Sequence, residues 1–322
     1  MSLLKLMQRT LDHHRRNTDE PKFLHGNHLG RLIVKLSRRS QVIPDSLHIT
    51  GVEDVSHDVY ECGGFADIFI AKWNQQSVAL KRLRIFKSTH NDSSVREAFY
   101  REAIVWRQLE HRFILPFYGI DNETFSNAPT MVSPLILGGN VHKAMLTLSP
   151  NDIPYNRWLL EISQGLEYLH DQDIVHGDVR GANILIDSQG HVKMADFGLA
   201  FFSGASTVSF GPNAGGATRW LAPELLEVED KVRLPTYACD VFSFGRVCIE
   251  LYTRQKPFPD IILDIQVTPH VIRGGCPVRP SCETGQEMSE ELWELAQSCW
   301  SKEPTHRPTI SQVVQNLSAQ LV

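Results

Sequence analysis

Three side chains in the second half of the sequence carry the oxygen atoms that a reaction on phosphate groups would use. Asp178 and Asn183 lie five residues apart in a polar loop with apolar, strand-like flanks, so the loop can direct both into one site. Asp196 follows an apolar stretch and precedes a glycine by two residues, a position that suits a metal ligand better than a surface loop. Magnesium prefers oxygen ligands, and an aspartate can also position an attacking hydroxyl. Together these residues predict phosphoryl-transfer chemistry.

A lysine and a glutamate earlier in the chain add the positive charge that phosphate oxygens require. Lys81 ends the apolar run Val78-Ala79-Leu80, which is typical of a short buried strand. Glu102 lies within residues 95–109, where apolar residues recur at helical spacing. Either residue alone carries little weight, because a lysine at a strand end is usually solvated. As a pair they predict an ion pair that aims an ammonium group at phosphate.

Apolar periodicity indicates the elements that must position these residues. Ser94 and Glu97 match a capping box, which predicts the start of the helix that contains Glu102. Residues 237–251 are apolar nearly all round, so that helix should be buried. A further helical stripe begins near Pro154 and comprises Trp158, Ile162, Leu166 and Leu169. The order predicts a small strand-rich part followed by a large helical part.

The first forty residues have a more basic composition than the rest of the chain. Their apolar residues recur at helical spacing and predict about two turns of amphipathic helix before Pro44, namely at Leu29, Leu32, Ile33 and Leu36. We interpret residues 1–46 as a basic N-terminal helical extension that packs on a larger body. A solvated basic helix explains this composition more simply than a docking site does.

A run of motifs in a fixed order resembles the protein-kinase signature set. After the strand lysine come a catalytic-loop pattern, a DFG tripeptide, an APE segment and two later motifs, at residues 176–183, 196–198, 220–224, 240–245 and 299–308. The resemblance covers most of the chain, from Leu47 to the C-terminus. Any one motif could arise by chance, whereas all of them in this order are very specific. The HGDxRGAN loop and the CWxxxPxxRP ending are similar to those of the tyrosine-kinase-like group, in forms common in fungi.

The resemblance implies an α+β, bilobal protein-kinase fold. A small N-terminal lobe, about residues 47–136, would hold an antiparallel β-sheet plus one helix. A larger, mainly helical C-terminal lobe would span about residues 137–322. Together these lobes form a predicted kinase domain at residues 47–322, preceded by the extension.

The resemblance also implies roles for the candidate residues. Lys81, held by Glu102, would contact the phosphates of ATP, and Asp178 would orient the hydroxyl of a protein substrate. Asn183 and Asp196 would bind Mg²⁺, or Mn²⁺ in its place. Arg180 replaces the usual lysine and would still neutralise the transferring phosphate. The remaining implied nucleotide-binding residues are Gly63, Gly64, Ala66, Ala79, Ser133, Leu135 and Leu185, with Ser133 as a small gatekeeper in the hinge segment.

Supporting contacts are implied as well. Asp240 would brace the catalytic loop, and Glu224 would pair with Arg307 to lock the helical lobe. The stacked hydrophobic spine of the family matches His176, Phe197, Trp106 and Phe117, for which ordinary core packing is nearly the same prediction.

The sequence departs from the family pattern in several places. Only Gly63 keeps the place of a pattern glycine in the phosphate loop, and Glu61 adds negative charge there, so we expect weaker ATP binding than usual. Gly177 replaces the arginine that normally receives a phosphorylated activation loop. Ala217 stands where serine/threonine kinases carry a threonine, and Arg180 matches a choice seen in tyrosine kinases. Hydroxyl specificity therefore stays open, with Ser/Thr favoured.

Two hypotheses about the function compete. An active protein kinase is favoured because every group that the chemistry needs is present. The alternative is a pseudokinase scaffold that binds nucleotide weakly and acts through protein contacts, and the degenerate loop, Gly177 and Ala217 support it. A P-loop or dinucleotide-binding enzyme is excluded by the absence of GxxxxGK[ST] and of an intact GxGxxG before a helix.

Composition limits the remaining possibilities. With 322 residues, of which 42% are hydrophobic, the chain can bury a sizeable core, and its net charge of −5 argues against general nucleic-acid binding. Six cysteines without CxxC spacing predict reduced thiols in an intracellular protein. No apolar run is long enough for a membrane span. We expect a protein substrate, no nucleic-acid partner and a cytoplasmic location with nuclear entry left open; the oligomeric state is not predicted.

Overall fold

A computed structural model describes residues 6–10, 25–40, 42–62, 66–84, 92–125, 128–203, 218–227, 234–281 and 287–320. The chain divides into two compact units. The first comprises Met1–Glu110 with Leu115–Ile136, and the second comprises His111–Ile114 with Leu137–Val322. Among the described residues, no helix combines the length and the apolar character needed to cross a membrane.

The first unit is built on an antiparallel sheet with the strand order β1-β3-β4-β6-β5, and β2 also pairs with β3. The strands are β1 (Val52–Glu53), β2 (Glu61–Cys62), β3 (Ala66–Trp73), β4 (Gln76–Leu83), β5 (Gly119–Asp121) and β6 (Thr130–Pro134). Asn74 and Gln75 connect β3 to β4, and both have positive φ (50° and 63°). Two such residues are typical of a tight hairpin turn.

Side chains alternate across this sheet and give it one apolar face. Val78 and Leu80 of β4 belong to a buried cluster with Phe69, Ala71 and Val132. Because successive strand residues point to opposite faces, Ala79 and Lys81 lie on the other face. The alternation therefore separates the core of the sheet from the residues predicted to handle nucleotide.

Two helices complete the first unit, α1 (His25–Ser40) and α2 (Asp92–Trp106), and residues 6–10 are also helical. Helix α1 is longer than the two turns predicted from its leucine spacing. Helix α2 begins at Asp92, two residues before Ser94, so the prediction that a Ser94 capping box starts this helix is wrong. Helix α2 contains Glu102, as predicted.

The second unit is mainly helical. Its helices are α3 (Val141–Thr147), α4 (Tyr155–Asp171), α5 (Pro223–Leu226), α6 (Tyr237–Thr253), α7 (Asp264–Ile272), α8 (Glu290–Cys299) and α9 (Ile310–Gln320). Two short antiparallel ladders accompany them: β7 (Ile174–Val175) pairs with β10 (Phe201–Phe202), and β8 (Ile184–Ile186) pairs with β9 (Val192–Met194). The antiparallel sheet of one unit and the helices of the other confirm the predicted α+β class.

Helices α4 and α6 form the core of the second unit. The predicted stripe of α4 is fully buried, with Trp158 1% exposed and Ile162, Leu166 and Leu169 0% exposed. Every residue of α6 from Cys239 to Tyr252 is buried, which confirms the prediction from its apolar surface. Helix α9 packs on α4, and α8 packs on α6. Burial on all sides fixes α6, so polar groups on it can serve as rigid anchors.

Candidate active site

The first group of candidate residues centres on an ion pair in the first unit. Lys81 Nζ donates to Glu102 Oε1 at 2.7 Å, and the two side chains are 17% and 4% exposed. A charged hydrogen bond shielded from water in this way is among the stronger polar contacts. The structure therefore joins strand β4 to helix α2 through the two residues that the sequence paired.

Three small residues share the face of the sheet that carries Lys81, whose direct cross-strand partners are Ile68 and Met131. Ala79 lies directly opposite Ser133 of β6, and Ala66 of β3 lies opposite Leu83, in the same set of facing positions as Lys81. Ser133 and Ala66 are buried. Short side chains at these positions leave more room on this face than larger side chains would. Leu135 follows β6 and its N–H donates to Ser77 O at 3.3 Å. The predicted phosphate-loop residues Gly63 and Gly64 lie outside the described residues.

The second group lies in the loop between β7 and β8 of the second unit. A 3₁₀ turn at Gly181–Asn183 brings Asn183 back toward Asp178. Asn183 Nδ2 donates to Asp178 Oδ2 at 2.8 Å and to Asp178 O at 2.9 Å. Arg180 Nε donates to Asp178 Oδ2 at 3.2 Å and lies 3.1 Å from Oδ1. Three of the predicted catalytic and metal residues thus form one hydrogen-bonded group.

The pKa of the Asp178 carboxyl group is raised above its ordinary value. Burial raises its pKa, and the negative charge of Asp196 raises it further, whereas the charge of Arg180 and the hydrogen bond from Asn183 act in the opposite direction. The influence of Asp196 shows that the two carboxylates share one electrostatic environment. A cation beside them would relieve this repulsion.

The hairpin β8–β9 sets the position of Asp196 relative to Asn183. Ile184 pairs with Met194, and Ala195 N donates to Asn183 O at 2.9 Å, so Asp196 follows directly after the last bond of the hairpin. Asp196 has a φ of 62°, which non-glycine residues rarely adopt. Strained backbone of this kind is concentrated at functional sites.

The oxygen donors at Asn183 and Asp196 suit a small divalent cation. Asn183 uses its amide nitrogen to bond Asp178, which turns its oxygen to the other side. In the part of the chain that the structure describes, no cluster of three or more His, Cys, Asp or Glu residues could enclose a metal by itself. Two protein ligands are enough for Mg²⁺, because it keeps several waters and binds substrate phosphates.

Two acidic residues of the buried helix α6, Asp240 and Glu250, hold the loop between β7 and β8 in place. Asp240 accepts the N–H groups of His176 and Gly177, both at 2.9 Å, and His170 Nε2 lies 2.9 Å from the same carboxylate. Gly177 has a φ of 80°. A left-handed conformation favours glycine, so the residue in the place of the family arginine fits this backbone without strain.

Glu250 is a supporting residue that sequence reasoning missed. Its Oε2 accepts the N–H of Gly181 at 2.9 Å and the indole N–H of Trp220 at 2.8 Å, and Glu250 is completely buried. A buried carboxylate is rare unless it is paired. An acidic residue in a helix that is apolar nearly all round was the available signal.

The remaining implied contacts are present within single units. Arg307 binds Glu224 through two hydrogen bonds of 2.6 and 2.8 Å. Burial opposes ionisation of Glu224, but the bonds from Arg307 outweigh it and hold the pKa of that carboxyl below its ordinary value. Among the predicted spine residues, ring centroids lie 5.1 Å apart for Trp106 with Phe117 and 5.3 Å apart for His176 with Phe197. Leu185 lies in β8, half-buried.

Comparison with known proteins shows which protein family shares this set of residues. The family described as protein tyrosine and serine/threonine kinase matches residues 57–317. The serine/threonine-protein kinase STY17 of Arabidopsis thaliana is 28% identical over 263 residues, which are 80% of this chain and 43% of the relative. Mitogen-activated protein kinase kinase kinase 7 of Mus musculus is 27% identical over 292 residues, which are 86% of this chain and 46% of the relative. The dual specificity protein kinase pyk3 of Dictyostelium discoideum is 28% identical over 263 residues, 79% of this chain and 18% of the relative.

These relatives are much longer than the present chain, which spans less than half of the length of each. The shared part includes every candidate site residue described above, since all of them fall between residues 57 and 317.

Proposed function

The chain belongs to the protein tyrosine and serine/threonine kinase family, and we propose that it transfers the γ-phosphoryl group of ATP to a hydroxyl group of a protein substrate. The observation that carries this proposal is the group formed by Asp178, Asn183 and Arg180, in which a buried carboxylate is held by two side chains at 2.8 to 3.2 Å. A fixed carboxylate of this kind is what orientation of an attacking hydroxyl requires.

Asp178 accepts or orients the proton of the substrate hydroxyl. Its Oδ2 accepts the hydrogen bonds from Asn183 and Arg180, whereas its buried Oδ1 accepts no hydrogen bond and lies 3.1 Å from the charged Arg180 Nε. Because Oδ1 accepts no hydrogen bond, it can accept one from a hydroxyl group that enters the site. Arg180 supplies positive charge beside that oxygen and so favours the ionised form that can accept a proton.

Lys81 neutralises charge on the phosphates of ATP. Glu102 holds its ammonium group by the 2.7 Å bond, so little conformational freedom remains for the lysine to lose when nucleotide binds. The small residues Ala79 and Ser133 on the same face accommodate the base. Glu61 adds negative charge at the entrance of the phosphate loop, which favours a weaker affinity for ATP than usual.

Asn183 and Asp196 would hold a divalent cation, for which we propose Mg²⁺, with Mn²⁺ as a substitute. When bound, this ion neutralises phosphate charge and orients the transferring group. Asn183 would present its amide oxygen, and Asp196 would present a carboxylate that the strained backbone keeps in one direction.

We propose Ser/Thr as the preferred acceptors. The support is the similarity to proteins named serine/threonine kinases, whereas Ala217, Arg180 and the relative named as a dual specificity kinase keep tyrosine as the competing acceptor. The test is incubation of the purified chain with γ-labelled ATP, Mg²⁺ and a generic protein substrate, followed by phosphoamino-acid analysis. Label on serine or threonine supports the proposal, and label on tyrosine alone refutes this preference. If ATP stabilises the fold but no label is transferred, the pseudokinase reading replaces the proposal.

A further inference from the structure

Helix α1 lies outside the part of the chain that the family shares. The family match begins at residue 57, whereas α1 ends at Ser40. Nothing in the family therefore assigns a role to this helix, although it belongs to the first compact unit.

One face of α1 is buried against its own unit. Gly30, Ile33 and Ser37 are spaced three and four residues apart, which places them on the same side of the helix. Ile33 and Ser37 have exposed fractions of 0% and 1%, whereas the neighbouring Leu32 is 50% exposed. Such a contrast between adjacent apolar residues shows that α1 docks in one defined rotation.

The element that receives α1 is helix α2. The two helices pack along each other, and in the described part of the chain no other helix or strand packs on α2 as extensively. Residues 102–106 of α2 are all buried. Five consecutive residues point in every direction around a helix, since each turns by about 100°. The sheet can cover only one side of α2, so α1 supplies cover on another.

The position of α2 decides whether the ion pair of Lys81 forms. Glu102 reaches Lys81 at 2.7 Å, a distance that allows little movement of the helix. The C-terminal end of α2 is anchored, because Trp106 Nε1 donates to Leu115 O at 2.7 Å and the indole packs on Phe117. Helix α1 packs on α2 and so supplies a second contact for this helix.

We propose that α1 is a built-in positioning element for the Lys81–Glu102 pair. By fixing α2, it keeps Glu102 bonded to Lys81 and thereby sustains phosphoryl transfer. Ile33 is the positioning residue, and it acts through Glu102 without touching substrate. The kinetic part of this inference rests on the proposed function, whereas the restraint on α2 does not.

The test compares Ile33→Ala with Leu32→Ala in the full chain, because Leu32 is the exposed neighbour on the same helix. For Ile33→Ala we expect kcat/KM for ATP to fall roughly 5- to 150-fold, the usual range of coupling between sites. Leu32→Ala should stay within about twofold of the parent, and Ile33→Val should recover most of the lost activity because it refills the buried space. In a Glu102→Gln background, Ile33→Ala should have less than about a twofold further effect, since the two changes act on one interaction.

Hydrogen exchange of the α2 amides gives a second readout that does not depend on catalysis. Exchange in residues 96–106 should be faster in Ile33→Ala than in Leu32→Ala and the parent. A loss of activity in Ile33→Ala that adds fully to that of Glu102→Gln would show a general structural role and overturn the proposal. Unchanged α2 exchange would also overturn it. If the parent chain transfers no phosphate, the proposed function fails, and faster α2 exchange in Ile33→Ala still supports the restraint by α1.

Discussion

Replacement of Asp178 by asparagine removes a proton acceptor while keeping the structure of its loop. Asp178 Oδ2 accepts both side-chain hydrogen bonds, at 2.8 Å from Asn183 and 3.2 Å from Arg180, and Oδ1 accepts none. An asparagine can place its oxygen where Oδ2 lies and keep both hydrogen bonds, and it loses only the 3.1 Å charge contact between Oδ1 and Arg180 Nε. The substitution therefore tests the chemical role of the carboxylate while the hydrogen bonds that hold the loop remain.

The expected loss is about two to four orders of magnitude in kcat, the range for a positioned acid–base group. The KM for ATP should change by less than about twofold, because Asp178 is not proposed to contact nucleotide. The assay is the initial rate of transfer from labelled ATP at saturating substrate. Asp171→Asn, an exposed aspartate in the same unit, provides the matched control and should leave the rate unchanged.

Stability provides an independent check on the same variant. Burial and Asp196 raise the pKa of Asp178, so the stability that its protonated form contributes is lost as pH rises through that pKa. Asparagine does not titrate, and the variant should be at least as stable as the parent at pH 7. A rate loss below about tenfold would refute the role of Asp178, and a lower melting temperature at pH 7 would refute the account of its environment.

Three further outcomes follow from the geometry. Glu224→Gln should destabilise the chain by about 3–5 kcal/mol in urea unfolding at pH 7, because Arg307 is left buried without its charged partner. The difference in stability from the parent should shrink as pH falls through the lowered pKa of Glu224. An equal difference at all pH values would contradict this. Gly177→Ala should lower the free energy of unfolding by about 1–2 kcal/mol because of its left-handed φ, and by a further amount because the new Cβ would lie 3.1 Å from Leu199 O. Gly274→Ala, with a φ of 85° and open space around it, should lose only the part due to φ. Equal losses in the two variants would refute the contact with Leu199. Ser133→Met should weaken binding of ATP analogues with a bulky pocket-directed group relative to the parent, and unchanged inhibition would show that Ser133 opens no pocket.

Local sequence patterns were sufficient wherever the interacting residues share a motif. Asp178, Asn183 and Arg180 lie within six residues of one another, so the loop sequence alone predicts their grouping. The alternation of Val78 and Leu80 with Ala79 and Lys81 likewise fixes the face of the sheet, because strand geometry has a period of two.

Contacts between distant segments were not predictable in this way. Glu250 lies 69 residues from Gly181 and 30 from Trp220, and nothing near it in sequence names these partners. The docking of α1 on α2 was not predictable either, because the periodicity of α1 indicates that one face packs but does not indicate which element covers that face. The sequence predicts too late a start for α2, because a Ser-x-x-Glu pattern inside a helix has the same spacing as one at its beginning. The cytoplasmic location, and the boundary at residue 47 between the N-terminal extension and the kinase domain, stay predictions.

The most direct test of the central claim is the rate of phosphate transfer from labelled ATP to a generic protein by the full chain with Mg²⁺, measured beside Lys81→Met and Asp196→Ala. We predict measurable transfer by the parent chain and its loss in both variants, because one removes the ammonium group proposed to bind phosphate and the other a proposed metal ligand. Equal transfer by the parent and either variant would contradict the assignment of that residue. No transfer by a folded parent that still binds ATP would contradict the proposed function.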